Sequence, residues 1–228
     1  MTLIQVIDAA RALLNEPLPT ARTFPDNTSS FWTDGILTSY HNLVQEEVQQ
    51  EIIQADEDYF TTANFLAISA GTAEYNLHSN TIKVRRVEDV RGGGQPVEIR
   101  PVHLNQKDER FLPYPNSQAL GAGGYYLKGG QIILTDTPTF TNASAIRVHF
   151  IPKIPDCTTS SDVSEIPREH HRVLVWGIVK HSLFQQQSDI TVASAEYEKH
   201  LSRIRQEIEN RQTQRPRRVA SALSGWGD

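Results

Sequence analysis

Apolar residues recur at helical spacing near both ends of this chain and in short, dense clusters through its middle. Over residues 3–15, Leu3, Val6, Ile7, Ala10, Leu13 and Leu14 fall three or four apart, which predicts a short helix with Thr2 as its cap. Residues 16–30 hold three prolines among small polar side chains and predict a loop. A second stripe follows over 31–59: Ile36, Leu37, Tyr40, Leu43, Val44, Val48, Ile52, Ala55 and Tyr59. It predicts a helix of about 25 residues, about 38 Å long, capped by Ser30 or Thr33.

From 62 to 152 the pattern changes. Runs such as "NFLAISAG", "AEYNL", "TIKVRRVEDV", "QPVEIRPV", "GYYLKGG", "QIILT" and "AIRVHFIP" are rich in β-branched and aromatic residues and are separated by Gly, Pro, Asn and Asp. They predict an antiparallel unit of six or seven short strands in meander-like order. A bulge is expected near Arg85–Arg86, where the alternation of Ile82, Val84, Val87 and Val90 breaks. Residues 102–111 predict a short helix or helical turn between strands. Helical spacing returns in 168–187 through Val173, Leu174, Trp176, Val179 and Leu183, with Ser164 as a candidate cap. It continues in 190–212 through Ala193, Tyr197, Leu201, Ile204 and Ile208, a narrow stripe close to a heptad seam.

The expected fold class is therefore α+β: a four-helix bundle built from the N- and C-terminal segments, an antiparallel β insertion, and an extended C-terminal tail. The expected boundaries are 1–61 for the N-terminal helices, 62–152 for the β insertion, 153–212 for the C-terminal helices and 213–228 for the tail.

Charge adds two features. The chain has 228 residues and a formal net charge of −5, so it is not globally a basic nucleic-acid binder. From Asp34 to Phe60 there is no Lys or Arg but there are seven acids, among them Glu46, Glu47 and Glu51. That run reads either as a solvated face or as a face turned toward a partner or a lumen. From Lys199 to Arg218 seven basic residues face only Glu207 and Glu209. This reads either as a solvated helix end with a disordered tail or as a segment that docks on an acidic partner or lies near nucleic acid. Trp226, near the end of the tail, suits an anchor that orders on binding. No apolar run approaches the roughly 18 residues that span a bilayer, so no membrane partner is expected. The N-terminus lacks the basic leader and small-residue cleavage site of a signal peptide.

Candidate chemistry is sparse. "GAGGYYLKGGQIILTDTP" at 121–138 sets glycines around Lys128, as a phosphate loop does. Such a loop needs Ser or Thr after its lysine and then a helix; here Gly129 follows and the next run is strand-like. Lys128, Gly129 and Gly130 instead predict the tip of a tight hairpin. His170 and His171 are adjacent, so their side chains diverge by about 100° on a helix and share no metal. Cys157, the single cysteine, sits in a loop without a histidine at motif spacing. Neither a catalytic set, a cofactor site nor a metal site is expected.

The ordered series "AEYNLHSNTIKVRRVEDV" (73–90), "YYLKGGQIILTDTP" (125–138), "IRVHFIPKIPD" (146–156), "EIPREHHRVLVWGIVKHSL" (165–183) and "AEYEKHLSRI" (195–204) resembles the head-to-tail adaptor, or connector, proteins of tailed bacteriophages. The likeness spans most of residues 30–210. It departs at His78, where a proline is expected after "YNL", and at "TDTP", which has one proline where Pro-x-Pro is common. The resemblance implies a non-enzymatic ring of twelve copies under the portal protein, in the virion neck and assembled in the host cytoplasm. Genomic DNA passes through the lumen without sequence-specific binding, and a downstream tail or nozzle protein docks beneath. It also implies a C-terminal tail that reaches the portal, here Arg211, Arg215, Arg217, Arg218 and Trp226. Glu46, Glu47 and Glu51 become candidates for the lumen or a subunit interface, and Lys128–Gly130 for contact with the tail partner. Two other readings stand beside it: another neck or tail completion or terminator protein, and a nucleic-acid-binding regulator using the basic C-terminal helix.

Overall fold

The computed structural model describes residues 1–16, 18, 24–26, 31–91, 95–103 and 124–213. Among these residues the fold is α+β, with four helices and two antiparallel sheets of four and three strands. The chain divides into two compact units, Met1–Asp56 with Pro155–Asp228, and Glu57–Ile154. The loop over 16–30 and the helical turn over 102–111 fall largely outside the described residues, and the tail from 214 onward falls there entirely.

The first unit holds α1 (Leu3–Leu13), α2 (Asp34–Ala55), α3 (His171–Gln185) and α4 (Thr191–Thr213). Leu3, Val6, Ile7 and Ala10 of α1 are buried as their spacing predicts, whereas Leu13 is exposed and Arg11 takes the inward position next to Ala10. Thr33 caps α2, its hydroxyl accepting from the Ile36 N–H at 3.3 Å. On α4 all five stripe residues, Ala193, Tyr197, Leu201, Ile204 and Ile208, are buried. α3 packs on each of the other three helices, which explains why burial there reaches past one stripe to Val175, Ile178 and Ser182. Its midpoint has no room for a side chain: a Cβ on Gly177 would meet Val44 at 2.4 Å and Tyr197 at 3.1 Å. The glycine is what lets α3 approach α2 and α4 so closely. Ser164 does not cap α3. It accepts from the Ile166 N–H at 3.2 Å, and a short 3-10 turn over Arg168–His170 leads into the helix instead.

Polar residues of α2 are buried for a reason. Gln45 donates to the Pro155 carbonyl at 2.9 Å; Asn42 donates to the Cys157 carbonyl at 3.1 Å and accepts from its N–H at 3.0 Å. These amide side chains satisfy the backbone of an irregular segment pressed against the helix, where unpaired groups would be costly. An ionic knot fixes the start of α2. Arg11 donates to Glu16 at 2.8 Å, to Asp34 at 3.0 Å and to the Trp32 carbonyl. The other Asp34 oxygen accepts from the Asp26 N–H at 2.7 Å.

The second unit contains β1 (Thr62–Ile68), β2 (Glu74–Asn76), β3 (Thr81–Asp89), β4 (Val97–Ile99), β5 (Tyr125–Lys128), β6 (Gln131–Leu134) and β7 (Asn142–Pro152). The sheets run β1-β7-β3-β4 and β2-β6-β5. This order is not a meander. The last strand, β7, is the longest and sits between β1 and β3, so its pairings close over long stretches of chain. The expected bulge in β3 is present as a register shift between Val84 and Arg86 opposite β7. Ile68, Val87, Ile99, Ala145, Ile146, Val148 and Phe150 of the larger sheet share one core with Tyr75, Tyr125, Ile132 and Leu134 of the smaller.

Candidate functional site

The glycine-rich stretch is a β-hairpin. Lys128 pairs with Gln131 across the two-residue turn Gly129–Gly130, and Gly129 has φ +60°. A positive φ at the first turn residue alone fits a type II′ turn, whose twist matches the flanking strands. The three tip residues are exposed, and nothing in the geometry makes a phosphate cradle. Gly121–Gly123, upstream, lie outside the described residues.

The acidic face of α2 is partly neutralised within its own unit. Glu51 accepts two hydrogen bonds from Arg205 of α4, at 2.9 and 2.7 Å. Glu47 accepts from the Tyr197 hydroxyl at 2.9 Å and lies 3.3 Å from His181 Nε2. His181 chiefly holds the Glu47 carboxyl below its usual range, against the upward push of burial. Burial, and then the Glu47 charge, raise the Tyr197 phenol. These pairings tie α2 to α3 and α4. Glu46 is half-buried on the same helix. Sequence periodicity contains no signal for such partners, because Glu51 and Arg205 are 154 residues apart.

Arg211 is half-exposed near the end of α4, 2.5 Å from Glu207 and 3.6 Å from Glu169. Arg215, Arg217, Arg218 and Trp226 lie outside the described residues. His170 and His171 diverge as neighbours on a helix must. His170 turns to Glu207, with Nε2 3.3 Å from its carboxylate. Glu169, His170 and Glu207 therefore bring three donor atoms within 4.8 Å of one another, a convergence that two adjacent histidines did not announce. Arg211 already supplies positive charge to both carboxylates, so the arrangement works as an ionic cluster joining the start of α3 to the end of α4.

His171 is buried. Its Nε2 donates to the Ile166 carbonyl at 2.8 Å and its Nδ1 lies 2.8 Å from the Met1 amine. Burial lowers the affinity of His171 and His41 for a proton, and His171 further lowers that of His41. Both therefore take up a proton less readily in the folded chain than in the unfolded one. Below the ordinary imidazole value of 6.5 the unfolded chain takes up protons that the folded chain refuses, so stability is full above that value and falls as the solution is acidified. The urea midpoint is expected to drop between about pH 7 and pH 5, and His41→Gln should flatten that drop. A midpoint that is level over this range would contradict the assignment. Cys157 is no better placed for chemistry: burial, then Asp162, Asp156 and Glu165, push its thiol up to about 11, far from the reactive thiolate range.

A family model described as SU10 adaptor protein matches residues 1–222. The chain belongs to this family of phage head-to-tail adaptors. Membership covers both units and makes the chain a structural component of the virion. A comparison with curated proteins finds no match. Among the described residues no helix is long and apolar enough to cross a membrane.

Proposed function

We propose that this adaptor forms a ring of twelve copies beneath the portal in the virion neck and joins the capsid to a downstream tail or nozzle protein, with genomic DNA passing through its lumen. The observation that carries the reading is the family match over residues 1–222, which takes in the helices and the β-strands alike. On this reading the segments 1–61 and 153–212 act together as a four-helix bundle that forms the ring. The insertion 62–152 presents the Lys128–Gly130 hairpin tip to the tail partner. The tail 213–228, with Arg215, Arg217, Arg218 and Trp226, reaches the portal, and Arg211 marks where it leaves α4. Glu46, on the helix without Lys or Arg, is the acid best placed to face the lumen or a neighbouring copy. The internal pairing of Glu47 and Glu51 makes them a weaker lining than their charge alone suggests. Assembly takes place in the host cytoplasm, and no catalytic step is required of the chain.

Sedimentation tests this. The purified protein mixed with its portal rings is expected to co-migrate with them. A protein that stays monomeric and never joins portal would overturn the reading. Co-migration with tail tubes but not portal would favour a completion or terminator role.

A further inference from the structure

Most arginines among the described residues are paired. Arg11, Arg85, Arg86, Arg91, Arg147, Arg205 and Arg211 each hold at least one carboxylate. Arg168, Arg172 and Arg203 are different. All three are exposed, and among the described residues none of them forms a salt bridge, although the Arg203 charge reaches the Glu196 carboxylate. They also lie together. Arg168 and Arg172 are one helical turn apart where the 3-10 turn enters α3. After burial, the charges of Arg203 and Lys199 on α4 and of Arg172 on α3 hold the His200 imidazole below the ordinary value, against the upward pull of Glu196, which is itself paired with Lys199 at 2.8 Å.

The placement is electrostatically unfavourable for the protein alone. The N-terminal end of a helix is positive, so cations there are destabilising and anions are welcome. α3 has no acid in its first turn, and Glu169 just before it is engaged by Arg211. The patch also has little apolar contact surface: Trp176, one turn after Arg172 on α3, is only partly exposed. On α3 and α4 the large exposed hydrophobics are Phe184 and Val192, at the C-terminal end of one helix and the N-terminal end of the other, away from the patch. Protein interfaces centre on desolvated apolar or aromatic residues with charge at the rim. A patch of cationic side chains on two helices, without such a centre, fits a hydrated polyanion backbone.

We propose that Arg168, Arg172 and Arg203, with Lys199 and His200 beside them, form a contact for the phosphate backbone of duplex DNA. The contact is sequence-independent and weak, because three phosphates provide little more than counterion release. It goes beyond the adaptor reading, since an adaptor that never touched DNA would still join portal and tail.

Fluorescence anisotropy of the full chain with a labelled 20-base-pair duplex of arbitrary sequence tests it. Binding is expected at low salt, with a log–log salt slope of about −2.7, or about 40-fold weaker binding on going from 50 to 200 mM salt. Arg203→Ala should reduce the slope by about one, and the R168A/R172A/R203A variant should abolish binding. The corresponding triple lysine variant should keep binding within about threefold, since lysine supplies the same point charge to phosphate. Absence of duplex binding at 50 mM salt would overturn the proposal. So would binding that survives the triple alanine change, or that is lost only on R215A/R217A/R218A. Capture of an oligoglutamate peptide without the duplex would instead assign the patch to an acidic protein. Portal co-sedimentation is a separate measurement, so either reading can fail alone.

Discussion

Replacing Asp34 by alanine is expected to destabilise the helical unit by about 3–5 kcal/mol, the usual cost of removing one partner from a buried ion pair. Asp34 and Arg11 are both fully buried. The Asp34 carboxylate accepts from Arg11 at 3.0 Å and from the Asp26 N–H at 2.7 Å. Alanine would strip Arg11 of this carboxylate and leave the Asp26 amide without this acceptor. Glu16, 2.8 Å from Arg11 and partly exposed, can compensate for only part of the charge. Asp34→Asn should cost less, because the amide oxygen still accepts from one donor. Chemical unfolding followed by tryptophan fluorescence is the appropriate measurement: Trp32, just before α2, and Trp176 on α3 both belong to the helical unit, and the remaining tryptophan, Trp226, is in the tail. A loss below about 1 kcal/mol would mean that the pair behaves like a surface one.

The second large effect belongs to the β unit. Ile146→Ala is expected to cost about 2–5 kcal/mol. Ile146 is fully buried on β7, opposite Leu66 of β1 and Asp89 of β3, so the truncated side chain leaves a cavity where three strands hold the backbone fixed. Ile82 on β3 is 52% exposed, and Ile82→Ala should change stability by about 0.5 kcal/mol or less. Because no tryptophan lies between residues 57 and 154, hydrogen exchange at the β7 amides is the readout. Equal effects at the two positions would contradict the inward register of β7.

The contrast between these sites shows what the sequence made legible. Where one helix face meets one neighbour, as on α4, the spacing of Ala193, Tyr197, Leu201, Ile204 and Ile208 identified the buried residues. Where a helix is enclosed, as α3 is, a single stripe under-describes it. On α2 the apolar spacing found Leu37, Val44, Val48 and Ile52 but included Leu43, which is 43% exposed, and passed over His41, Gln45 and Gln49, which are buried. Apolar periodicity cannot see a polar side chain turned inward to satisfy a backbone segment more than a hundred residues away. The same limit applies to the sheets. Strand positions and the Gly129–Gly130 turn are local properties and were readable. The placement of β7 between β1 and β3 is a non-local pairing, and alternation alone does not choose a partner. Of the candidate site, the hairpin tip was readable from its turn chemistry. The pairings of Glu47 and Glu51, and the unpaired state of Arg168, Arg172 and Arg203, arise only when α2, α3 and α4 pack.

The central claim is that the chain works as an adaptor on the portal, and electron microscopy of the protein mixed with its purified portal rings tests it most directly. The account predicts particles in which a second ring of twelve copies is stacked coaxially on one face of the portal, with an open channel running through both. Portal rings that stay bare at saturating protein, while the protein itself remains folded, would contradict it.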